Sequence, residues 1–249
     1  MPFTFSHPAI ILPLHALSPN RRSMTGLIVG SIVPDFEMFL KMKAETSYSH
    51  TLAGVFWFNL PLALLLCFTY HLLVRPSLLA NLPDFMRLRL SCFQQFNWTA
   101  YFRNHVVVVV VSILLGVALH ILWDGFTHKN GYFVKQLPYL LTHIELGRWS
   151  LPLYYVLQLG FSVLGGIAVM AAVMLLPLQK EQLKAQNPVQ YWLLISGITG
   201  IIFWAGMQQE IVTNYVSNVL VILIAAGSIA LVLAPVLMAA KEKLKAPTT

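Results

Sequence analysis

Five long apolar runs limit what this chain can fold into more than any other feature. They lie at residues 52–74, 106–126, 153–177, 191–208 and 213–239. A helix needs about 20 apolar residues to cross the hydrocarbon core of a bilayer. Backbone in lipid must satisfy its own hydrogen bonds, and the runs lack the alternating pattern of transmembrane barrel strands. The sequence therefore predicts an all-α, polytopic membrane helix bundle with about five firm spans.

The composition supports one integral membrane domain. Hydrophobic residues make up 57% and charged residues 10% of the chain, whereas soluble domains carry roughly 25% charge. We expect a single domain over residues 1–249, with no room for a separate soluble one. Within it we expect an N-terminal broken helical element at 1–51 that contributes to the site, a transmembrane bundle at 52–240 and a basic tail at 241–249.

The basic residues are distributed as in a membrane protein rather than a nucleic-acid-binding protein. The formal net charge is +7, but no basic patch with interleaved aromatic residues occurs, so no nucleic-acid partner is expected. Lys and Arg gather in residues 75–105, in residues 178–190 and in the tail. The positive-inside rule places these segments and the C-terminus in the cytoplasm. The opposite ends of the spans, with residues 127–152, are then predicted on the non-cytoplasmic side.

The N-terminal region carries an interrupted apolar run. Residues 24–33 are too few to cross a bilayer, a Pro-Asp pair at 34–35 breaks the run, and it resumes at 36–40. This pattern predicts a re-entrant or interfacial element or a short broken helix, and whether residues 23–41 cross the membrane stays open. Upstream, Ser6 as an N-cap and Pro8 in a first turn predict a short helix over Pro8–Leu17.

Two long segments connect the predicted spans. Residues 75–105 mix Leu, Phe and Trp with arginines, which predicts an interfacial amphipathic helix in part of the segment. Residues 127–152 are predicted to form a loop, and connections of this length are often functional.

His120, Asp124 and His128 form a polar line at the end of the apolar run 106–126. Steps of four residues put the three side chains on one helix face, with a drift of only about 40° per step. An acid near hydrocarbon is costly and normally has a partner, and a metal ion suits an aspartate between two histidines. The alternative is a polar stripe used for helix packing, which an acid between two histidines makes the weaker interpretation.

Further ligand-type side chains precede the first firm span. His50 stands just before it, and adjacent antiparallel spans bring His50 and Asp124 to the same membrane face. Asp35 follows the proline break and is either a ligand or the N-cap of the helix that resumes after it. His7 is either a ligand or an interfacial histidine.

Glu37 has two interpretations. It is a second ligand or general base, or else an exposed first-turn acid that the helix dipole favours. The catalytic candidates are therefore Asp35 and Glu37. The metal-ligand candidates are His7, Asp35, His50, His120, Asp124 and His128.

The other histidines are expected outside this cluster. His71 is about 31 Å along the helix from His50, at 1.5 Å per residue, so it lies at the opposite membrane face with His105. A bis-histidine haem between His71 and His105 is the less favoured alternative to two interfacial histidines. His143 and Glu145 fall in residues 127–152, where they either complete the shell of the site or are solvated.

The candidate ligands offer nitrogen and oxygen atoms without thiolate, because Cys67 and Cys92 form no CxxC pair. Such a set suits zinc first, with manganese or iron as substitutes, as one or two divalent ions. Carboxylates that bridge two ions suit the hydrolysis of phosphate esters. The sequence thus favours a metal-dependent hydrolase at the membrane face, whose partners are membrane lipid and a small-molecule or lipid substrate such as a phosphoester. The alternative is a non-enzymatic metal-binding membrane protein that acts as a structural, sensing or transport partner.

Four blocks of the sequence, in this order, resemble a known family. They are Met1-Pro-Phe-Thr-Phe-Ser-His7-Pro-Ala, Gly30-Ser-Ile-Val-Pro-Asp35-Phe-Glu, Ser49-His50-Thr-Leu and His120-Ile-Leu-Trp-Asp124-Gly-Phe-Thr-His128. Together they resemble a bacterial membrane family of unknown function, number 4184, over nearly the whole chain. That family is in turn similar to inner-membrane metal-dependent hydrolases.

The resemblance implies a metal site at the positions that match the shared blocks, and a place in the bacterial inner (plasma) membrane. These positions are His7, Asp35, His50, His120 and Asp124. One departure concerns the second block, because the hydrolases usually carry Pro-Asp-x-Asp, whereas Phe36-Glu37 follows Asp35 here. Glutamate has a longer reach than aspartate, so the resemblance carries a site rather than an identical metal geometry.

Overall fold

A computed structural model describes residues 3–179, 187–208 and 215–245 of the chain. Among these residues, five helices are long and apolar enough to cross a membrane: Leu52–Asn81, Val106–Gln136, Leu153–Met174, Pro188–Gly206 and Val216–Lys241. They coincide with the five predicted runs, so the all-α membrane bundle is confirmed. Parts of three predicted segments lie outside the described residues, namely 180–186, 213–214 and 246–249.

The regular elements follow one another along the chain with short connections. The α-helices are Met24–Ile32 (α1), Phe36–Lys41 (α2), Leu52–Gly54 (α3), Leu60–Thr69 (α4), Arg75–Asn81 (α5), Asp84–Leu90 (α6), Trp98–Asn104 (α7), Val106–Thr127 (α8), Tyr132–Gln136 (α9), Leu153–Met174 (α10), Pro188–Gly206 (α11) and Tyr215–Lys245 (α12). Segments of 3-10 helix cover Thr4–Ala16, Pro19–Arg21, Val33–Asp35, Ser91–Phe93 and Pro138–Leu141, and π-helical turns cover Val55–Asn59 and Tyr70–Val74. Two strands, His143–Leu146 (β1) and Trp149–Pro152 (β2), form an antiparallel hairpin.

The described residues fall into two compact units. The first holds the chain up to Glu37 with Thr46–Leu64 and Asn104–Ala172, and the second holds Met38–Glu45, Leu65–Arg103 and the chain from Val173. All six candidate metal ligands belong to the first unit.

Close packing of α1 on α8 forms the centre of the first unit. A Cβ added at Gly30 would collide with the backbone of Ile113, and one at Gly116 would lie 2.8 Å from the backbone nitrogen of Ser31. Small residues allow helix backbones in membranes to approach this closely. The contact brings the carbonyl of Ser31, near the end of α1, against the second half of α8.

The N-terminal element is broken where the sequence predicted. Helix α1 ends at Ile32, a 3-10 turn covers Val33–Asp35, and α2 begins at Phe36. The predicted short helix over Pro8–Leu17 is wrong in type and start, because a 3-10 helix runs from Thr4 to Ala16. Ser6 is not its N-cap: the Ser6 hydroxyl donates to the carbonyl of Phe3 instead, and prolines at 8 and 13 lack the N–H groups that an α-helix would use.

The second unit is built around α11 and α12. Tyr191 and Ile195 of α11 pack against Ala230 and Ala234 of α12. In the same unit, His71 is buried, with Nδ1 2.9 Å from Arg75 Nη1 and its ring stacked on Trp98. The predicted helical content of residues 75–105 is present as three short helices, α5 to α7.

The segment 127–152 is more regular than the predicted loop. It contains α9, a 3-10 turn and the β1–β2 hairpin. Strands of four residues are too short for alternation to stand out in the sequence, which is why the hairpin was missed. The turn uses Gly147 at a φ of 63°, a conformation that glycine adopts without strain.

Candidate metal centre

Asp124 lies at the centre of the candidate site, near the end of α8. Four histidine nitrogens surround its two carboxylate oxygens. Oδ1 lies 3.2 Å from His7 Nε2 and 3.4 Å from His128 Nδ1. Oδ2 lies 3.2 Å from His120 Nε2 and 3.3 Å from His50 Nε2. Three of the four histidines therefore present the same ring nitrogen, Nε2, to one carboxylate.

His120 lies one helical turn before Asp124 and is fully buried. Its Nδ1 lies 2.8 Å from the carbonyl oxygen of Ser31, which the packing of α1 on α8 provides. Its Nε2 lies 3.2 Å from Asp124 Oδ2 and 3.6 Å from Asp35 Oδ1, but it makes no hydrogen bond of acceptable geometry within the described residues. A buried ring nitrogen that points at two carboxylates without a hydrogen bond is placed as a metal ligand would be.

His50 and His7 are held in the same way as His120. The Nδ1 of His50 lies 3.0 Å from the Ser49 hydroxyl, and the Nδ1 of His7 lies 3.1 Å from the carbonyl oxygen of Thr4. The rings of His7 and His120 stack with centroids 4.1 Å apart. Each ring thus has one nitrogen fixed by an oxygen of the chain and the other turned to the site, as metal-binding histidines usually do.

Asp35 joins the site from the 3-10 turn between α1 and α2. It is 2% exposed, and its Oδ2 accepts a hydrogen bond of 2.5 Å from the Thr4 hydroxyl. Since Thr4 also offers its carbonyl to His7, this one residue positions two candidate ligands. Sequence reasoning missed Thr4, because a threonine three positions before a histidine carries no signal of its own.

Four of the candidates form a compact group of possible metal ligands. One donor atom from each of Asp35, His50, His120 and Asp124 lies within 4.8 Å of the other three. Zinc ligands lie about 2.0–2.2 Å from the ion, so a slight contraction would bring these four atoms around one cation. The buried, unbonded Nε2 of His120 and the lack of thiolate both fit a divalent ion.

His7 and His128 contact Asp124 from outside this group, and their place as ligands stays a prediction. His128 turns Nδ1 to Asp124, whereas its Nε2 lies 3.3 Å from the side-chain amide nitrogen of Gln158. Gln158 belongs to α10 and is 3% exposed. A glutamine in an apolar run could have marked a second helix at the site, but sequence reasoning did not use it.

Glu37 is buried rather than exposed, which overturns the interpretation of a solvated first-turn acid. Its Oε1 accepts the N–H of Ser47 at 2.7 Å, and its Oε2 accepts those of Tyr48 at 3.1 Å and Ser49 at 2.8 Å. The carboxylate therefore fixes the turn that precedes His50. A role for Glu37 as ligand or base stays a prediction.

The other polar residues that the sequence singled out lie apart from the four-residue group. His143 and Glu145 are exposed on the hairpin, where both contact the Ser150 hydroxyl. His15 is exposed in the N-terminal 3-10 helix. None of the three belongs to a metal-ligand group within the part of the chain that the structure describes.

A known family covers the whole of this site. The family described as a domain of unknown function, DUF4184, matches residues 1–236. The chain belongs to that family. The match includes all six candidate ligands, Thr4, Glu37 and Gln158. No curated protein and no solved structure gives a significant match to the chain.

Proposed function

We propose that this protein is a membrane-bound, metal-dependent hydrolase that acts on a lipid or phosphoester at the membrane face. One observation carries the proposal. The nitrogens Nε2 of His7, His50 and His120 converge on Asp124, while each Nδ1 is engaged by an oxygen of the chain.

The proton positions in two of these rings favour a cation at their centre. A carbonyl oxygen only accepts, so the Nδ1 atoms of His7 and His120 carry the ring proton. In neutral rings, both Nε2 lone pairs then face carboxylate oxygens and repel them. A second proton on each ring would instead place two positive charges in rings stacked at 4.1 Å, out of contact with water, which is costly. A divalent ion between the nitrogens and the carboxylates removes both conflicts.

The ligand set supports a choice of metal. Nitrogen and oxygen donors without thiolate favour zinc, with manganese or iron as substitutes. The group of Asp35, His50, His120 and Asp124 serves one ion. A second ion requires His7 and His128, with Asp124 as the bridge between them.

The exposure of the site favours catalysis over a structural role. The side chains of Asp35 and His120 are at most 3% exposed, whereas those of His50 and His128 are 26% and 34% exposed. The site is therefore closed on one side and open on the other, and catalytic metal sites keep an open position whereas structural ones are closed. A divalent ion held here would supply Lewis acidity for the attack of water on an ester.

The chain's own residues divide the remaining work. Asp35, fixed by Thr4, offers its Oδ1 toward the site for a metal or a proton. Glu37 has its oxygens on three backbone N–H groups, so in this proposal it positions the His50 turn. The resemblance to inner-membrane metal-dependent hydrolases supports the reaction class and a place in the bacterial inner membrane.

The test is a hydrolysis screen with protein purified in detergent. Phosphodiester, phosphomonoester and acyl-ester lipids are each incubated with and without chelator, and the metal content is measured on the same preparation. We expect turnover of one ester class that chelator abolishes, that zinc, manganese or iron restores, and that Asp35→Asn abolishes. His71→Ala is the matched control and should keep full turnover.

Two outcomes would overturn the proposal. Bound metal without turnover of any ester class would move the protein to the non-enzymatic alternative. A preparation that binds no divalent metal at all would remove the metal site itself.

A further inference from the structure

The β1–β2 hairpin has one apolar and one polar face. The register pairs Ile144 with Leu151 and Leu146 with Trp149. Because residues directly opposite and two apart share a face of a sheet, these four side chains form one apolar face. His143, Glu145 and Ser150 lie on the other face, where the Ser150 hydroxyl donates to Glu145 Oε1 at 2.7 Å and lies 3.1 Å from His143 Nδ1.

The apolar face is open rather than packed. Ile144, Leu146 and Trp149 are 36%, 48% and 60% exposed. A hairpin of two short strands is at best marginally stable in water by itself. The face therefore needs an apolar or amphipathic environment to cover it.

The position of the hairpin at the end of a membrane span indicates what that environment is. Strand β2 ends at Pro152 and α10 begins at the next residue, whose N–H donates to the carbonyl of Thr142 at 2.9 Å. The 22 residues of α10 extend about 33 Å at 1.5 Å per residue, close to the roughly 30 Å of a hydrocarbon core. The first residue of α10 therefore lies at the edge of the hydrocarbon, and the hairpin attached to it lies at the depth of the lipid headgroups.

The chemistry of the turn fits that depth. Trp149 follows the turn, and the guanidinium of Arg148 lies 5.4 Å from the centre of its ring. Tryptophan concentrates at membrane–water interfaces. Arginine can keep its contact with the ring while its N–H groups bind a lipid phosphate.

We propose that the hairpin is an interfacial anchor of the first unit. The face of Ile144, Leu146, Trp149 and Leu151 rests on the acyl-chain boundary, Arg148 binds lipid phosphates, and the face of His143, Glu145 and Ser150 is turned to water. The anchor holds the segment between α8 and α10 against the bilayer surface, whatever reaction the metal centre performs.

Tryptophan fluorescence of the full chain in lipid nanodiscs tests this placement. The nanodiscs contain equal parts of phosphatidylcholine and phosphatidylglycerol, with bromine either near the carbonyl end or near the methyl end of the acyl chains. Subtracting the emission of Trp149→Phe from that of the wild type isolates Trp149. We expect bromine near the carbonyl end to quench this difference emission more than bromine near the methyl end, and aqueous acrylamide to quench it weakly.

A tryptophan on the opposite face provides the matched control. Ser150→Trp in the Trp149→Phe background moves the ring to the polar face of the same strand. Its emission should be quenched strongly by acrylamide and weakly by bromine at either position, while circular dichroism shows unchanged helix content. Strong acrylamide quenching of Trp149 would place the apolar face in water, and protection from both quenchers would place it under a protein partner. Either result overturns the proposal.

Discussion

At the scale of single residues, His120 shows how the fold separates the two nitrogens of one ring. The carbonyl of Ser31 binds Nδ1, and Nε2 is left facing Asp124 and Asp35 without a hydrogen bond of its own among the described residues. Such an arrangement is costly for a buried polar atom unless a ligand completes it. The metal site is therefore specified by what this ring lacks as much as by the residues that surround it.

Removal of the central carboxylate should release the metal. Asp124→Ala takes away the oxygens that face His7, His50, His120 and His128, so we expect bound metal to fall to a small fraction of the wild-type content. His71→Ala should keep the full content, because His71 contacts Arg75 and Trp98 instead. Elemental analysis of both variants, matched for helix content, measures the difference, and full metal in Asp124→Ala would rule out this centre.

Thr4 provides a finer test at the same scale. Thr4→Val removes the hydroxyl that binds Asp35 at 2.5 Å while keeping the shape of the side chain. Loss of such a supporting contact typically weakens metal binding by about 10–100-fold. Thr4→Ser restores the hydroxyl and should recover most of the affinity in a chelator competition. Equal affinity in Thr4→Val and the wild type would mean that Asp35 needs no help from Thr4.

At the scale of elements, the packing of α1 on α8 positions Ser31 and His120. Gly116 faces α1, where an added Cβ would lie 2.8 Å from the Ser31 nitrogen and 2.9 Å from the carbonyl carbon of Gly30. Gly166 in α10 has nothing within 4 Å of an added Cβ. The two glycines therefore separate close packing from helix propensity.

Gly116→Ala should destabilise the protein, whereas Gly166→Ala should not. Alanine is favoured over glycine in a helix by about 1 kcal/mol, but overpacking costs about 1–3 kcal/mol, so the net effect at 116 is a loss. We expect a lower melting temperature in detergent for Gly116→Ala and an unchanged or higher one for Gly166→Ala. An equal shift in both variants would mean that α1 and α8 do not pack as closely as the structure has them.

The turn that carries His50 depends on one buried acid. Glu37 accepts N–H groups from Ser47, Tyr48 and Ser49, and the side-chain amide of Asn59 donates to the Ser49 carbonyl at 2.7 Å. A hydrogen bond to a charged group is worth about 1.5–3 kcal/mol. The carboxylate is thus a large part of what holds this turn.

Glu37→Gln should loosen the turn and weaken metal binding together. An amide cannot accept all three N–H groups, since its nitrogen would oppose one of them, so we expect a lower melting temperature and faster proteolysis near residues 44–49. Metal affinity should fall because His50 is no longer held. If turnover disappears while stability and metal affinity stay at the wild-type level, Glu37 acts as a proton acceptor rather than through the turn.

The same elements mark how far sequence reasoning reached. The break after Ile32 and the approach of His120 to Asp124 followed from a proline and from helical spacing, because both are local rules. The approach of His7, Asp35 and His50 to Asp124 needed the order of the spans and the family resemblance. Thr4, Gln158 and the β1–β2 hairpin were missed, because their roles arise from contacts between segments far apart in the sequence.

At the scale of the whole molecule, the distribution of charge predicts which way the site faces. Arg75, Arg87, Arg89 and Arg103 lie in the connection 75–105, and basic residues of connecting segments stay on the cytoplasmic side. The connection 127–152 follows the other end of the next span, directly after Asp124 and His128. The metal centre should therefore open to the non-cytoplasmic side.

Cysteine labelling in intact cells tests this orientation. Asn130, exposed just beyond α8, is changed to Cys in a chain that keeps Cys92, which is exposed in the arginine-rich connection. An impermeant thiol reagent should label Asn130→Cys in intact cells, because the positive-inside rule puts residue 130 outside. The native Cys92 serves as the internal control and should react only after the membrane is opened; Cys67 is buried and should stay silent. Labelling of Cys92 in intact cells, with residue 130 protected until lysis, would reverse the orientation and turn the site toward the cytoplasm.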